Sequence, residues 1–117
     1  MKRYALALDL KDDPSGIEQY DYWHRHVWPE VKQSIVGSGI TLMEIYRTGN
    51  RLFMMMEVND TFSFEDKAKS DAVNVKVQEW EELMWKFQQP LPWAMEGEKW
   101  ILMERVFELN VKTHAAN

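Results

Sequence analysis

The sequence predicts an α+β fold in which helices cover one face of a single sheet. Strand-like and helix-like runs follow one another in the order β-α-β-β-α-β. The two central strand-like runs are joined by a short connection that contains glycine, which is the signal of a hairpin. This order is the split βαβ topology of ferredoxin-like folds.

The first strand and helix are predicted within residues 3–37. Residues 3–9 alternate loosely between apolar and polar and predict a strand. Asp13-Pro14 is a helix start, because a carboxylate caps the first turn and proline fits within it. We predict one long helix from about residue 14 to residue 37, interrupted at Pro29.

The predicted hairpin consists of residues 40–47 and 51–58, which flank Thr48-Gly49-Asn50. Both strands are apolar on both faces, which predicts a sheet covered on both sides. Helices cover one side. We expect a second copy of the chain to cover the other and to bury the methionines at 54–56, giving a dimeric α+β barrel.

A second helical region and a last strand complete the predicted fold. A weakly patterned helix runs from Ser63 to about Asp71, and Asn74 interrupts it. Helical spacing then returns at Val77, Trp80, Leu83, Met84 and Phe87.

The last part of the chain is predicted to contain a loop, a strand and a tail. Two prolines forbid regular structure in residues 88–93, and the alternation of residues 99–109 predicts the final strand. A single domain therefore spans residues 1–109, and residues 110–117 are expected to be a mobile tail.

The composition excludes several classes of function. A net charge of −5 and a pI near 5.2 leave no basic patch for nucleic acid. The absence of cysteine rules out disulfides and thiolate metal sites. The N-terminal apolar run stops at Asp9, and no later run reaches transmembrane length. We therefore expect a cytoplasmic protein without nucleic-acid or membrane partners.

The stretch from Tyr20 to Pro29 is the main candidate for chemistry. Tyr20, His24 and Trp28 recur at i, i+4 and i+8, so they project from one face of a helix. A histidine titrates near neutral pH, and beside flat apolar rings it suits proton transfer on a bound polyol. The same spacing is also typical of a core face with a structural histidine, and the pattern alone leaves both interpretations open.

Metal and phosphate chemistry find little support in the sequence. His24 and His26 are two residues apart and point to different helix faces, and no cysteine completes a ligand set. The chain has no nucleophile elbow and no phosphate-binding glycine loop. Of the classes of chemistry considered, acid–base chemistry without a cofactor is the one that remains.

Several charged residues could add to such a site. Those that could converge on the open face of the sheet are Glu44, Arg47, Glu57 and Asp71. Alternatively, Glu44 and Glu57 simply pair with Arg51 or Arg105 at a sheet edge, since structural ion pairs form similar clusters.

The chain resembles the L-rhamnose mutarotase family over residues 2–109. The most specific part is Tyr20-x-x-x-His24-x-x-x-Trp28-Pro29-Glu30. Further matching features are Ile45-Tyr46, the strand 51–57, Gln78-x-Trp80 and the final run 100–109. The resemblance implies a dimeric ferredoxin-like fold and interconversion of the α and β anomers of 6-deoxy sugars, with no metal and no cofactor.

The resemblance also implies a set of site residues. His24 corresponds to the family's catalytic acid/base, and Tyr20 and Trp80 correspond to sugar contacts. Glu81 and Met43 stand where the family has a second tryptophan and a sugar-contacting tyrosine. We therefore predict a monosaccharide site with His24 as the proton-transferring residue and the other four as substrate-binding residues.

The substrate and the second acid/base are left open by the sequence. L-rhamnose is the first choice, but the two departures and a longer segment between Asp71 and Trp80 make L-fucose an alternative. Glu44 or Glu57 as a second acid/base is a further hypothesis. Two rival functions on the same fold are a cofactor-free monooxygenase of aromatic polyketides or haem and a non-catalytic ligand-binding dimer.

Overall fold

The computed structural model describes residues 2–111 as one sheet with helices packed against one of its faces. The elements in chain order are β1 (Lys2–Leu10), α1 (Pro14–His24), α2 (Pro29–Gly37), β2 (Ile40–Thr48), β3 (Arg51–Val58), α3 (Phe64–Ala72), α4 (Val75–Trp85), β4 (Gln88–Gln89) and β5 (Ile101–Leu102).

The sheet has the order β2-β3-β1-β4, and β5 also pairs with β1. All pairings are antiparallel. Gln88 lies opposite Leu10 at one end of β1, whereas Leu102 lies opposite Leu6 near its middle. The strands β4 and β5 thus share the edge of β1 and together fill the position of a fourth strand. The predicted ferredoxin-like α+β topology is confirmed.

The prediction of one long final strand at 99–109 is wrong. Regular pairing in that region is limited to Ile101–Leu102, extended by a hydrogen bond from the Met103 amide to the Ala5 carbonyl oxygen (2.8 Å). The edge position begins instead with β4, inside the predicted loop. Pro90 lacks an N–H and ends that pairing, so the chain leaves β1 and returns to it at Ile101.

The predicted long helix is two helices, α1 and α2. Trp28 precedes a proline and is extended, with φ −62° and ψ 139°, because the proline ring disfavours the helical conformation of the residue before it. Pro29 then opens α2. The interruption was expected at this proline, but it separates the helices completely, from Arg25 to Trp28.

Side-chain caps begin three of the helices. The Asp13 carboxylate accepts from the Gly16 amide (3.2 Å) at the start of α1, as predicted. Ser63 caps α3, and the Asn74 side-chain oxygen accepts from the Val77 amide (3.2 Å) at the start of α4. Asn74 therefore ends one helical run and starts the next.

The two faces of the sheet differ in what they contact. Leu8 and Leu52 are fully buried beneath the helices. Met54 and Met56 lie on the same face and are buried too, so the prediction that a partner buries all three methionines is wrong for these two. Met55 alone points to the opposite face, because neighbouring strand residues alternate.

The face without helices carries large apolar side chains that are exposed in this chain. They are Leu42, Tyr46, Phe53 and Met103. Glu57 also lies on this face and pairs with Arg3 (2.6 Å). The predicted partners Arg51 and Arg105 pair with other carboxylates, those of Asp9 and Glu108.

Two further predictions concern membranes and the tail. Among residues 2–111, no helix has the length and apolar character needed to cross a bilayer. The predicted mobile tail begins at residue 110, and from residue 112 onward it lies outside the described residues.

Candidate active site

A cavity of about 380 Å³ lies between the helices and the covered face of the sheet. Its walls are largely apolar, with Met54 and Met56 from β3 and Val31 and Ile35 from α2. At roughly 30 Å³ per water, this volume corresponds to on the order of a dozen waters. A ligand of monosaccharide size therefore fits.

His24 ends α1 and lines this cavity. Its Nδ1 lies 3.0 Å from the backbone carbonyl oxygen of Tyr20. A carbonyl oxygen only accepts, so Nδ1 carries the proton and Nε2 is the acceptor of the neutral ring. Burial lowers the pKa of His24 below its ordinary value of 6.5, against smaller opposing effects of the Tyr20 carbonyl and Asp21. At neutral pH the ring is a base.

Tyr20 lies one helical turn before His24 and is buried. Its ring lies against the imidazole, with the ring centroids 4.1 Å apart. Burial raises the pKa of the Tyr20 hydroxyl, an effect partly opposed by a hydrogen bond from the Gln88 side chain. The phenol therefore stays protonated and can donate a hydrogen bond.

Trp80 from α4 forms the wall beside the histidine. Its ring is edge-on to His24, with centroids 5.7 Å apart, and edge-on to Trp28, at 5.2 Å. The three residues predicted to share a helix face thus do converge, although the helix is broken between His24 and Trp28. Trp80 joins them by tertiary packing.

Met43 and Glu81 also line the cavity, from β2 and α4. Met43 lies opposite Met56 in the sheet and so shares its covered face. Glu81 accepts a hydrogen bond from Lys99 Nζ (2.6 Å), so its charge is balanced within the chain. All five predicted site residues therefore border one cavity, and their contact with a sugar stays a prediction.

A second polar group in the cavity was not predicted as a unit. The Asp71 carboxylate accepts from Ser34 Oγ (3.0 Å) and from Lys67 Nζ (2.8 Å), and all three residues line the cavity. From the sequence, Asp71 was expected on the open face and without Ser34 or Lys67 as partners. The i,i+4 spacing of Lys67 and Asp71 was the available signal.

The expected convergence of charges on the open face is wrong. Arg47 binds the Asp21 carboxylate of α1 with two hydrogen bonds, at 2.7 Å and 3.1 Å. Glu44 and Glu57 lie on the face of the sheet opposite the cavity and do not line it. The sheet separates them from His24, which excludes them as the second acid/base in this cavity.

The described residues that line the cavity do not form a metal site. Within residues 2–111, no three or more His, Asp or Glu side chains are grouped so that they could hold a metal ion. The polar groups near His24 are instead donors and acceptors of hydrogen bonds. They suit proton transfer to and from a polyhydroxylated ligand.

Comparison with known proteins finds a matching family and a similar sequence. Residues 3–109 match the family described as L-rhamnose mutarotase. An L-fucose mutarotase of Xanthomonas campestris pv. campestris is 46% identical over 112 residues, covering 94% of this chain and 90% of that protein.

Two solved structures share the fold. An L-rhamnose mutarotase from Formosa agariphila has a TM-score of 0.68 at 24% identity, covering 94% of this chain and all of that one. A dimeric ferredoxin-like protein from an uncultured marine organism has a TM-score of 0.52 at 12% identity, covering 92% and 91% of the two chains.

The family match spans nearly the whole chain and includes the segments that build the cavity. It confirms the resemblance drawn from the Tyr20 to Glu30 run. The chain belongs to the L-rhamnose mutarotase family, a family of isomerases that act on carbohydrates.

Proposed function

We propose that the protein is a mutarotase that interconverts the α and β anomers of a 6-deoxy-L-sugar in the cavity beside His24. The observation that carries the proposal is a neutral imidazole whose Nδ1–H is bound to the Tyr20 carbonyl oxygen. Its remaining nitrogen is a base, and a protonated phenol lies against it. Family membership supplies the class of reaction.

The mechanism needs two proton transfers. His24 takes the proton of the anomeric hydroxyl, and the bond between C1 and the ring oxygen breaks as the carbonyl forms. The ring oxygen receives a proton, either from the imidazolium or through the Tyr20 hydroxyl. The open-chain aldehyde then rotates about the C1–C2 bond and closes on its other face, with the protons returned. Acid–base help of this kind is worth about 10²–10⁴-fold.

L-fucose is the first sugar to test and L-rhamnose the second. The 46% identical relative is an L-fucose mutarotase, and Glu81 and Met43 depart from the pattern of rhamnose-specific members. This reverses the preference stated from sequence. Both sugars carry a methyl group at C6, which suits walls of Met54, Met56 and Val31.

The first experiment is proton NMR exchange spectroscopy on equilibrated L-fucose and L-rhamnose with catalytic amounts of protein. The wild type should accelerate α/β exchange of one sugar. His24→Asn should lose most of that acceleration, about 10²-fold or more, because the base is removed while the helix end is kept.

His26→Asn is the matched control. His26 makes the same local contact, with Nδ1 2.9 Å from the Tyr22 carbonyl oxygen and its ring stacked on Tyr22 at 4.4 Å, but it is exposed to solvent. Its loss should leave exchange unchanged. Wild-type rates in His24→Asn would contradict the assignment, and sugar binding without any acceleration by the wild type would favour a non-catalytic module.

The proposed assembly is a homodimer in which the open faces of two sheets meet. Support comes from the exposed apolar residues of that face, Leu42, Tyr46, Phe53 and Met103. Contiguous apolar surface of this kind usually marks an interaction site, and a structural relative is described as dimeric. A cytoplasmic location and the absence of nucleic-acid partners stay predictions from the sequence.

A further inference from the structure

Gln88 is a buried amide that the proposed mechanism does not use. It is 6% exposed and lines the cavity. Its backbone pairs with Leu10 at the end of β1, and the Phe87 carbonyl oxygen before it accepts from the Lys11 amide (2.9 Å). The position of this side chain is therefore set by the sheet.

The two polar atoms of the amide are in different situations. The Gln88 side chain acts to lower the pKa of Tyr20, which is the effect of an amide nitrogen that faces the phenol oxygen. The amide oxygen Oε1 is buried and has no hydrogen-bond partner among the described residues. A buried acceptor without a partner is rare and calls for a donor from elsewhere.

A sugar hydroxyl is the donor that fits. Because its pKa is raised, the Tyr20 hydroxyl keeps its hydrogen and can donate it to the ligand. Gln88 and Tyr20 together thus offer one acceptor and one donor next to His24. Of the two ring neighbours of the anomeric carbon, the ring oxygen carries no hydrogen, whereas C2 carries a hydroxyl.

We propose that Gln88 is a specificity-determining residue whose Oε1 accepts a hydrogen bond from the C2 hydroxyl of the sugar. This inference rests on the proposed function, because it takes the anomeric carbon to lie at His24. L-fucose and L-rhamnose have opposite configurations at C2, so a fixed acceptor at this place favours one of them. Gln88 would then help to select the substrate as well as orient Tyr20.

The test compares Gln88→Met with the wild type on two ligands, the better sugar and its 2-deoxy analogue. Methionine has a similar length and shape but no acceptor oxygen. The wild type should show a KM about 10-fold lower for the sugar than for the analogue, the worth of one hydrogen bond. In Gln88→Met this difference should disappear, because the KM for the sugar rises to that for the analogue.

Stability provides a second readout. Gln88→Met removes an unsatisfied buried acceptor, which stabilises, but also the amide beside the Tyr20 hydroxyl, which destabilises. The two effects oppose each other, so the melting temperature of the empty variant should stay close to that of the wild type. Gln89→Met is the control, since Gln89 is the exposed neighbour in the same strand. Its KM values should match those of the wild type.

Two results would overturn the inference. One is a wild type that accelerates exchange but treats sugar and analogue alike. Another is a Gln88→Met variant that keeps the 10-fold difference. If that variant also has a clearly lower melting temperature, the role of Gln88 is purely structural. A wild type without any exchange activity would instead contradict the proposed function itself. The placement of the anomeric carbon at His24 would then lose its basis as well.

Discussion

At the scale of single residues, the site depends on how burial changes the chemistry of a common side chain. His24 and His26 sit two positions apart and make equivalent contacts with the backbone one turn earlier. They differ in exposure, and for His24 burial lowers the pKa, which keeps the ring a base at neutral pH. Location in the cavity therefore separates the proposed catalytic histidine from a surface one.

The lowered pKa predicts the pH dependence of the rate. Only neutral His24 can take the anomeric proton, so kcat/KM should fall on the acid side with a midpoint below 6.5. Burial raises the pKa of Tyr20 above its ordinary value of 10.0, so the phenol should cause no loss on the alkaline side below that pH. Exchange spectroscopy at several pH values, corrected for the spontaneous rate, measures this. An acid-side midpoint of kcat/KM above 6.5 would contradict the role of a buried His24 as the base.

The sequence identified the residues of the site that share a helical pattern. Tyr20 and His24 follow from i, i+4 spacing, and Trp80 belongs to the apolar stripe of a later helix. Gln88 could not be found this way, because it follows a helix end and precedes prolines, in a stretch without a periodic pattern of apolar residues. Its role depends on pairing with β1, a contact between residues distant in sequence.

At the scale of elements, local signals determined most helix starts and the hairpin. Asp13 is the cap that the sequence predicted, whereas Ser63 and Asn74 were expected only as a helix start and an interruption, and both act as caps. The prediction of one long final strand failed because alternation in residues 99–109 carries no information on whether a neighbouring strand exists. β1 offers only one free edge, and two short strands share it.

The cap of α4 should be measurable in stability. Asn74→Ala removes the acceptor for the Val77 amide and should lower the free energy of unfolding by about 1 kcal/mol. Asn74→Asp keeps a side-chain acceptor and should remain within a few tenths of a kcal/mol of the wild type. Denaturant unfolding monitored by circular dichroism gives both values. Equal loss in the two variants would show that the cap hydrogen bond is not the cause.

At the scale of the whole molecule, one side of the sheet holds the cavity and the other side is available for assembly. The apolar surface includes Phe53 and Tyr46, whose rings lie 6.1 Å apart. Arg3–Glu57 and Arg51–Asp9 ion pairs flank it on the same face. An apolar centre with a polar rim is the usual anatomy of a protein interface.

The dimer can be tested by placing a charge at the centre of this face. Phe53→Arg should shift the protein from dimer to monomer in light scattering after size exclusion, because the guanidinium would be buried without a partner. Val73→Arg is the control, since Val73 is exposed at the end of α3, away from the sheet. A wild-type monomer, or a dimer that persists in Phe53→Arg, would contradict the proposed interface.

The departure of the chain from β1 between Pro90 and Ile101 has a consequence for how the protein can change over evolution. Pairing is complete on both sides of this segment, so its length can vary without shifting the register of the sheet. Changes at its last residues would affect the cavity, because Lys99 binds Glu81 and Trp100 lines the cavity. Insertions and deletions here would reshape the cavity wall at Trp100 while leaving His24 in place, a route by which relatives can diverge in substrate with their chemistry intact.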